Sequence, residues 1–244
     1  KIMKAITTKD NFVNHYHSPT DMGVNMAKEG IVNDKIVQKN SREEIIRRFL
    51  RYQQEYLLGV ESKETVDYIT KIMAKSKLKV EDYPLVKEAR KAKQRAIRLK
   101  EGNKNVFCGA AIELADGRMV HGNNSAMFHA ESAALIKALK LISGIPEKQK
   151  LLSDRVVHQM QEYKKQLGSS SMSLNAEETI TLFGIMALFE PRIQKVVSNL
   201  GKLKNLNMHI THIPMQGDEE GLKKLKLNVT TDSEMGLLPY YKKG

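Results

Sequence analysis

The stretch from Phe107 to Lys140 constrains this chain more than any other part of it. Phe107-Cys108-Gly109-Ala110-Ala111-Ile112-Glu113-Leu114 is short, apolar and rich in small residues, which reads as a strand buried on both faces. Asp116-Gly117 is hairpin-turn chemistry, because glycine accepts the positive φ such turns require. Arg118 to Gly122 then pairs back, and Asn123, Asn124 and Ser125 are residues that cap helices. A helix over Met127 to Ile142 follows, with Gly144 and Pro146 as its stop. A strand, a turn, a strand and a helix opening on His129-Ala130-Glu131 is the start of a zinc nucleoside deaminase pattern.

That pattern needs a second half. The deaminase chemistry requires Pro-Cys-x-x-Cys after the His-x-Glu, to hold the metal with two thiolates. The only cysteine in the chain is Cys108, which precedes His129, so no thiolate is available. No metal ligands are therefore assigned from sequence. His209 and His212 lie on a later strand-like run, where alternation puts them on opposite faces. Glu131 reads as a charge that suits a helix N-terminus, and Cys108 as a buried, inert thiol.

The rest of the chain divides at about residue 104. Residues 1–104 are expected to be an irregular loop followed by helices, and residues 105–244 an α/β domain. Within the first part, Asn33-Asp34 between Ile31-Val32 and Lys35-Ile36-Val37 predicts a small hairpin. Ser41 with Glu44 predicts a capping box at a helix start, and Gly59 its end. Ser62 opens a second helix and Pro84 a third, which carries a lysine- and arginine-rich run. In the second part Asn175 and Glu178 cap a helix whose residues Ile180, Phe183, Ile185, Met186, Leu188 and Phe189 are apolar nearly all round, which predicts burial. Pro191 breaks it, 207–213 alternates as a strand, a short helix opens at Asp218, and 227–230 is a last strand. The fold class is α+β, or α/β: a helical N-terminal segment, then a mixed sheet packed with helices and a distantly deaminase-like hairpin–helix unit.

The net charge of +12 comes mainly from scattered lysines, and the one dense run, Lys87 to Lys104, holds no aromatic residue for base stacking. A solvated helix face is the better reading, and nucleic acid is not expected as a partner. No membrane span or signal peptide is expected, the single cysteine fits a cytosolic setting, and the chain does not open on Met, as a fragment would not.

Six blocks in order carry a family resemblance: "SPTDMGVNMA" at 18–27, "EIIRRFLRYQQEYLLGVESKETV" at 44–66, "CGAAIELADGRMVHGNNS" at 108–125, "SAALIKALKLISGIPEKQKLLS" at 132–153, "SLNAEETI" at 173–180 and "MHITHIPMQGDEEGLKKLKLNVTTD" at 208–232. The chain resembles the second half of the bacterial family catalogued as domain of unknown function 1846. The resemblance implies a cytoplasmic protein roughly twice this length. It also implies a first half like an α/β nucleotide-fold domain with a phosphate-loop-like segment, which has no counterpart here. The resemblance further implies that this block reads His-Ala-Ala or His-Ala-Ser more often than His-Ala-Glu in the family, so that Glu131 is not expected to be a family requirement.

Site residues expected from this reading are His129, His212 and Asp21 as catalytic groups, with Thr20, Asn25, Asn123, Asn124, Ser125 and Asp218 as ligand-binding groups. Amides and free backbone N–H groups near a helix start suit an anion, and strand ends collect ligands in α/β sheets. The expected role is a substrate pocket offered to the nucleotide-binding first half, taking a small phosphorylated or nucleotide ligand; no cofactor is implied by this half. The alternatives are an oligomerisation or regulatory module built on a homo-oligomer and, disfavoured by the missing thiolates, a zinc deaminase-like enzyme.

Overall fold

The computed structural model describes residues 34–103 and 105–233. Helix α1 runs Asp34–Leu57, α2 Lys63–Lys75 and α3 Pro84–Leu99. The hairpin follows as β1 Gly109–Glu113 and β2 Met119–Asn123, then α4 Ala130–Ile142, α5 Asp154–Gln166, α6 Ala176–Met186 and α7 Pro191–Ser198. The chain continues with β3 Asn207–Ile210, α8 Gln216–Lys224 and β4 Asn228–Thr231. The class is α+β, as the sequence predicts.

The four strands form one mixed sheet in the order β2-β1-β3-β4, with β1 antiparallel to both neighbours and β3 parallel to β4. Two residues differ in fate at each step along β1. Ala110 and Ile112 join a core with Ala134, Leu135, Ala138 and Leu139 of α4, Phe183 of α6 and Met208 and Ile210 of β3. Ala111 instead joins Ile46, Leu50, Tyr83, Leu85, Val86 and Ala89, from α1, α3 and the turn before α3. The sheet is thus covered on both faces, which is why β1 reads as an unbroken apolar run. Gly122 on β2 is what lets α4 lie down on the sheet. A Cβ there would stand 2.3 Å from Ala134 N and 2.7 Å from Ala130 O, both backbone atoms that cannot turn aside.

Most of the punctuation read from sequence holds. Pro84 sits at the first turn of α3, Gly117 takes φ +82° in the hairpin, and Asn175 and Glu178 form the expected capping box. Pro191 starts a new helix. Three expectations fail. Residues 34–37 are the start of α1 and not a hairpin arm, while 31–33 lie outside the described residues. Ser41 is inside α1 and caps nothing, because helix propensity continues unbroken across it. The apolar end of α6 is not buried: only Ala176, Thr179 and Phe183 are, whereas Ile185 is 51%, Leu188 80% and Phe189 73% exposed. Composition gives the apolar surface of a helix, not what covers it. No helix among the described residues is long and apolar enough to cross a membrane.

On the α3 side of the sheet, β4 is tied down by charge. Arg90 on α3 grips Asp232 through two hydrogen bonds, of 2.9 and 2.7 Å, and also reaches Glu81. His209 donates or accepts at Nδ1 with Thr230 Oγ1, 2.9 Å away, and its Nε2 lies 3.4 Å from Asp232 Oδ1 without hydrogen-bond alignment. Burial alone would raise the Asp232 carboxyl, but His209 and Arg90 outweigh it and hold it well below the usual carboxylate range. Burial lowers His209, so it is neutral in the folded protein. A depressed carboxyl contributes stability above its unfolded pKa of about 3.9 and loses it as pH falls further. A depressed imidazole adds a loss that begins below about pH 6.5. Asp232→Asn is expected to cost about 1–3 kcal/mol at pH 7, with Arg90 partly solvated. It is also expected to flatten the decline of stability below pH 4; urea unfolding from pH 3 to 7 measures both.

Candidate functional site

Three helix starts meet at the end of β3. His129 is the N-cap residue of α4 and Glu131 lies in its first turn. Asn175 caps α6, and Asp218 lies in the first turn of α8. Gly221 allows this convergence. A Cβ there would come within 2.6 Å of Glu177 N and 2.8 Å of the Ala176 carbonyl carbon, so only glycine lets α8 rest on the first turn of α6.

Asp218, fully buried, then does two things. Its Oδ1 accepts from Ala176 N–H at 2.8 Å, and its Oδ2 lies 2.6 Å from His129 Nδ1. The other ring nitrogen of His129, Nε2, is 3.2 Å from Ser171 Oγ. Ser171 is brought there by the segment before α6. Leu174 docks beside 127–129 through Leu174 N–H to Met127 O (2.8 Å) and His129 N–H to Leu174 O (2.9 Å). Lys164 pins the same segment, donating to Ser173 O at 2.8 Å and to Glu178 Oε2 at 2.7 Å. The result is a hydroxyl–imidazole–carboxylate row in which the carboxylate fixes the ring.

Glu131 is the anomaly. It is fully buried, and neither carboxylate oxygen makes a hydrogen bond. His212 Nε2 lies 3.2 Å from its Oε1, near enough for charge but not aligned to bond. Burial, and then the Asp218 charge, push its pKa up to about 8, so Glu131 is largely protonated at neutral pH. His129 moves the other way from its surroundings. Burial works against its protonation, but the hydrogen bond and charge of Asp218 win, and its pKa is raised. The site therefore holds one carboxylate paired with an imidazole and one neutral acid beside them.

Sequence reasoning nominates three of these groups. His129, His212 and Asp218 were expected as site residues and do share one site. The strand expected over 207–213 ends at Ile210, so alternation does not place His212: His209 faces Arg90 and Asp232, whereas His212, past the strand, meets Glu131. Asn123, Asn124 and Ser125 spend their bonds on backbone. Asn124 accepts from Cys108 N–H and donates to Val106 O, Asn123 donates to Glu101 O and Asn124 O, and Ser125 accepts from Met127 and Phe128 N–H. Thr20, Asp21 and Asn25 lie outside the described residues. Two groups were missed. Ser171 sits in a serine-rich loop with no local signal. Glu131 was read as a dipole charge, though a glutamate set among Ala130, Ser132, Ala133 and Ala134 in an apolar helix is a sign of burial. A positional signal existed for Asp218 as well: Pro214-Met215-Gln216-Gly217-Asp218 puts it where Pro-Cys-x-x-Cys has its second cysteine.

Two family models match the chain. "Domain of unknown function DUF1846, C-terminal" covers residues 81–240, and the corresponding N-terminal model covers residues 1–77, so they meet just ahead of α3. Among curated proteins, a UPF0371 protein of Clostridioides difficile (strain 630) is 35% identical over 237 residues, covering 96% of this chain and 46% of that protein. A UPF0371 protein of Clostridium tetani (strain Massachusetts / E88) is 34% identical over 236 residues, with 96% and 46% covered. One from Fusobacterium nucleatum is 34% identical over 237 residues, with 95% and 46% covered. The chain thus spans about half the length of the curated relatives it matches.

The two acids should answer substitution differently. Glu131→Gln replaces a neutral, unbonded acid by a neutral amide of the same shape, and is expected to change stability by less than about 1 kcal/mol at pH 7. Asp218→Asn removes the charge that His129 and Ala176 N–H both use, and is expected to cost about 2–4 kcal/mol. Denaturant midpoints of the two variants test the contrast; equal costs would contradict it.

Proposed function

The chain belongs to the DUF1846 family, and on that premise we propose that it supplies the reaction centre of a longer, cytosolic bacterial enzyme. His129 is the group that meets the substrate, Asp218 positions it, and Glu131 and His212 complete the pocket. The single observation that carries the reading is Glu131: a fully buried carboxyl with no hydrogen bond to either oxygen, beside a hydrogen-bonded His–Asp pair. A buried polar group left unbonded costs about 1–3 kcal/mol, which a purely structural position has no reason to carry.

The chemistry the row permits is proton transfer at Nε2. Asp218 accepts the Nδ1 proton, which leaves Nε2 as the basic nitrogen, pointing at a hydroxyl. Three helix starts, of α4, α6 and α8, converge there, and the positive ends of their dipoles suit an anionic substrate. A nucleotide or another phosphorylated small molecule is the substrate class this supports, with the remainder of the longer protein contributing the other wall. In the full-length protein, ATP, GTP, AMP and inorganic phosphate are the probes. At least one is expected to raise Tm by about 2–4 °C at saturating concentration. His129→Gln and Asp218→Asn should abolish that response. No response in the wild type, or an unchanged one in both variants, overturns the reading.

The exposed Ile185, Leu188 and Phe189 favour a second role, assembly, in which this apolar end of α6 joins subunits of a homo-oligomer. Phe189→Asp with Leu188→Asp is expected to lower the sedimentation mass while leaving the ligand response intact. A monomeric wild-type protein removes this role.

A further inference from the structure

The groups around Glu131 share a property that proton transfer alone does not require: they are all good ligands for a first-row transition metal. One ligand atom each from His129, Glu131 and Asp218 lie within 4.8 Å of one another, with Glu131 and Asp218 buried. His212 Nε2 adds a second imidazole nitrogen 3.2 Å from Glu131 Oε1. A dication with donors at about 2.0–2.2 Å needs the donor atoms roughly 3–3.5 Å apart, so the hydrogen-bonded His129 Nδ1 and Asp218 Oδ2, 2.6 Å apart, would open and the wider spacings would close, by side-chain rotation.

We propose that His129, Glu131 and Asp218, with His212 at the edge, form a binding site for a divalent first-row transition ion such as Zn²⁺ or Co²⁺. The inference rests on the reaction centre proposed above and names its cofactor. Two observations independent of the cluster's composition carry it. First, Glu131 is entirely buried and unbonded through both oxygens, aimed into the cluster. A metal would occupy the lone pairs that no protein donor reaches. Second, the ligand-bearing elements stand where the deaminase pattern has its own. His129-x-Glu131 opens the helix after the hairpin, and Asp218 follows Pro214 on the helix after β3, at the position of the second cysteine. A carboxylate there replaces a thiolate, so the lack of cysteine after Glu131 removes one kind of ligand and not the site. Imidazole and carboxylate together select a transition ion over Mg²⁺ or Ca²⁺, which take oxygen donors. Such an ion would supply an acidified water to the pocket.

The neighbouring charges agree with that count. Facing the cluster are Asp218 and Glu131 from α8 and α4, His129, His212 beyond β3, and Lys164 of α5, which is occupied by Glu178 and Ser173 O. A dication would meet two carboxyl groups and two imidazole rings.

The test is a cobalt(II) titration of the chelator-treated full-length protein, followed by its visible ligand-field absorption and by metal analysis. One equivalent per chain is expected, displaced by zinc and not by excess magnesium. Glu131→Gln and Asp218→Asn should each weaken binding by more than about a hundredfold. His158→Ala, on the exposed face of α5, should bind as the wild type does. Glu131→Gln is isosteric, and circular dichroism establishes that it is folded. Absence of cobalt binding in the wild type, or binding unchanged in both variants, overturns the metal site. If cobalt fails to bind while His129→Gln still abolishes the nucleotide or phosphate response, the metal falls and the reaction centre stands. If cobalt binds as expected and no probe shifts Tm, the reverse holds.

Discussion

Asp218 is the interaction on which the site depends. One carboxylate closes the N-terminus of α6 through Ala176 N–H and holds the imidazole of the residue that precedes α4, while sitting in the first turn of α8. A negative charge at three converging helix starts is favoured by every one of their dipoles. That explains how a buried carboxylate survives there without a lysine or arginine salt bridge among the described residues. It also makes the geometry of His129 a consequence of the tertiary fold, because the three helices are distant in sequence and only Gly221 lets α8 come close enough.

The sheet sorts the histidines. β3 exposes Met208 and Ile210 to the α4 side, and His209 to the α3 side. The α3 side is a structural face: Arg90, Asp232, His209 and Thr230 answer one another and bind the last strand to α3. The α4 side ends at His212, beyond the strand, where Glu131 waits. Similar residue types therefore serve different ends. On one face Arg90 and Asp232 pair directly and only His209 Nε2 lacks a hydrogen bond; on the other both oxygens of Glu131 lack one.

How much of this was legible follows from the range of each signal. The hairpin at Asp116-Gly117, the helix start at Pro84, the capping box at Asn175 and Glu178, and the break at Pro191 are local, and each appears where the sequence places it. The capping box at Ser41 was as good by the same rule, yet the helix runs through it, since a box states only that a helix can start there. His129, His212 and Asp218 could be nominated from chemistry and position. Their meeting, and the pairing of Leu174 with residues 127–129 that delivers Ser171, depend on contacts across more than forty residues that no single stretch encodes.

Glu131 separates a structural reading of the site from a functional one. A glutamate that only complements the α4 dipole would gain more in water, where its hydration is retained, than in a cavity where both oxygens are bare. Alanine or serine at that place would pack against the same neighbours at no electrostatic cost. Desolvation outweighs the opposing pull of His129 on the acid, whose nearest neighbours are a carboxylate and two imidazoles. Each of these is a ligand for a cation or a partner for a moving proton. The position is built for something that arrives with positive charge, and the neutral form of Glu131 is how the fold holds the place until it does.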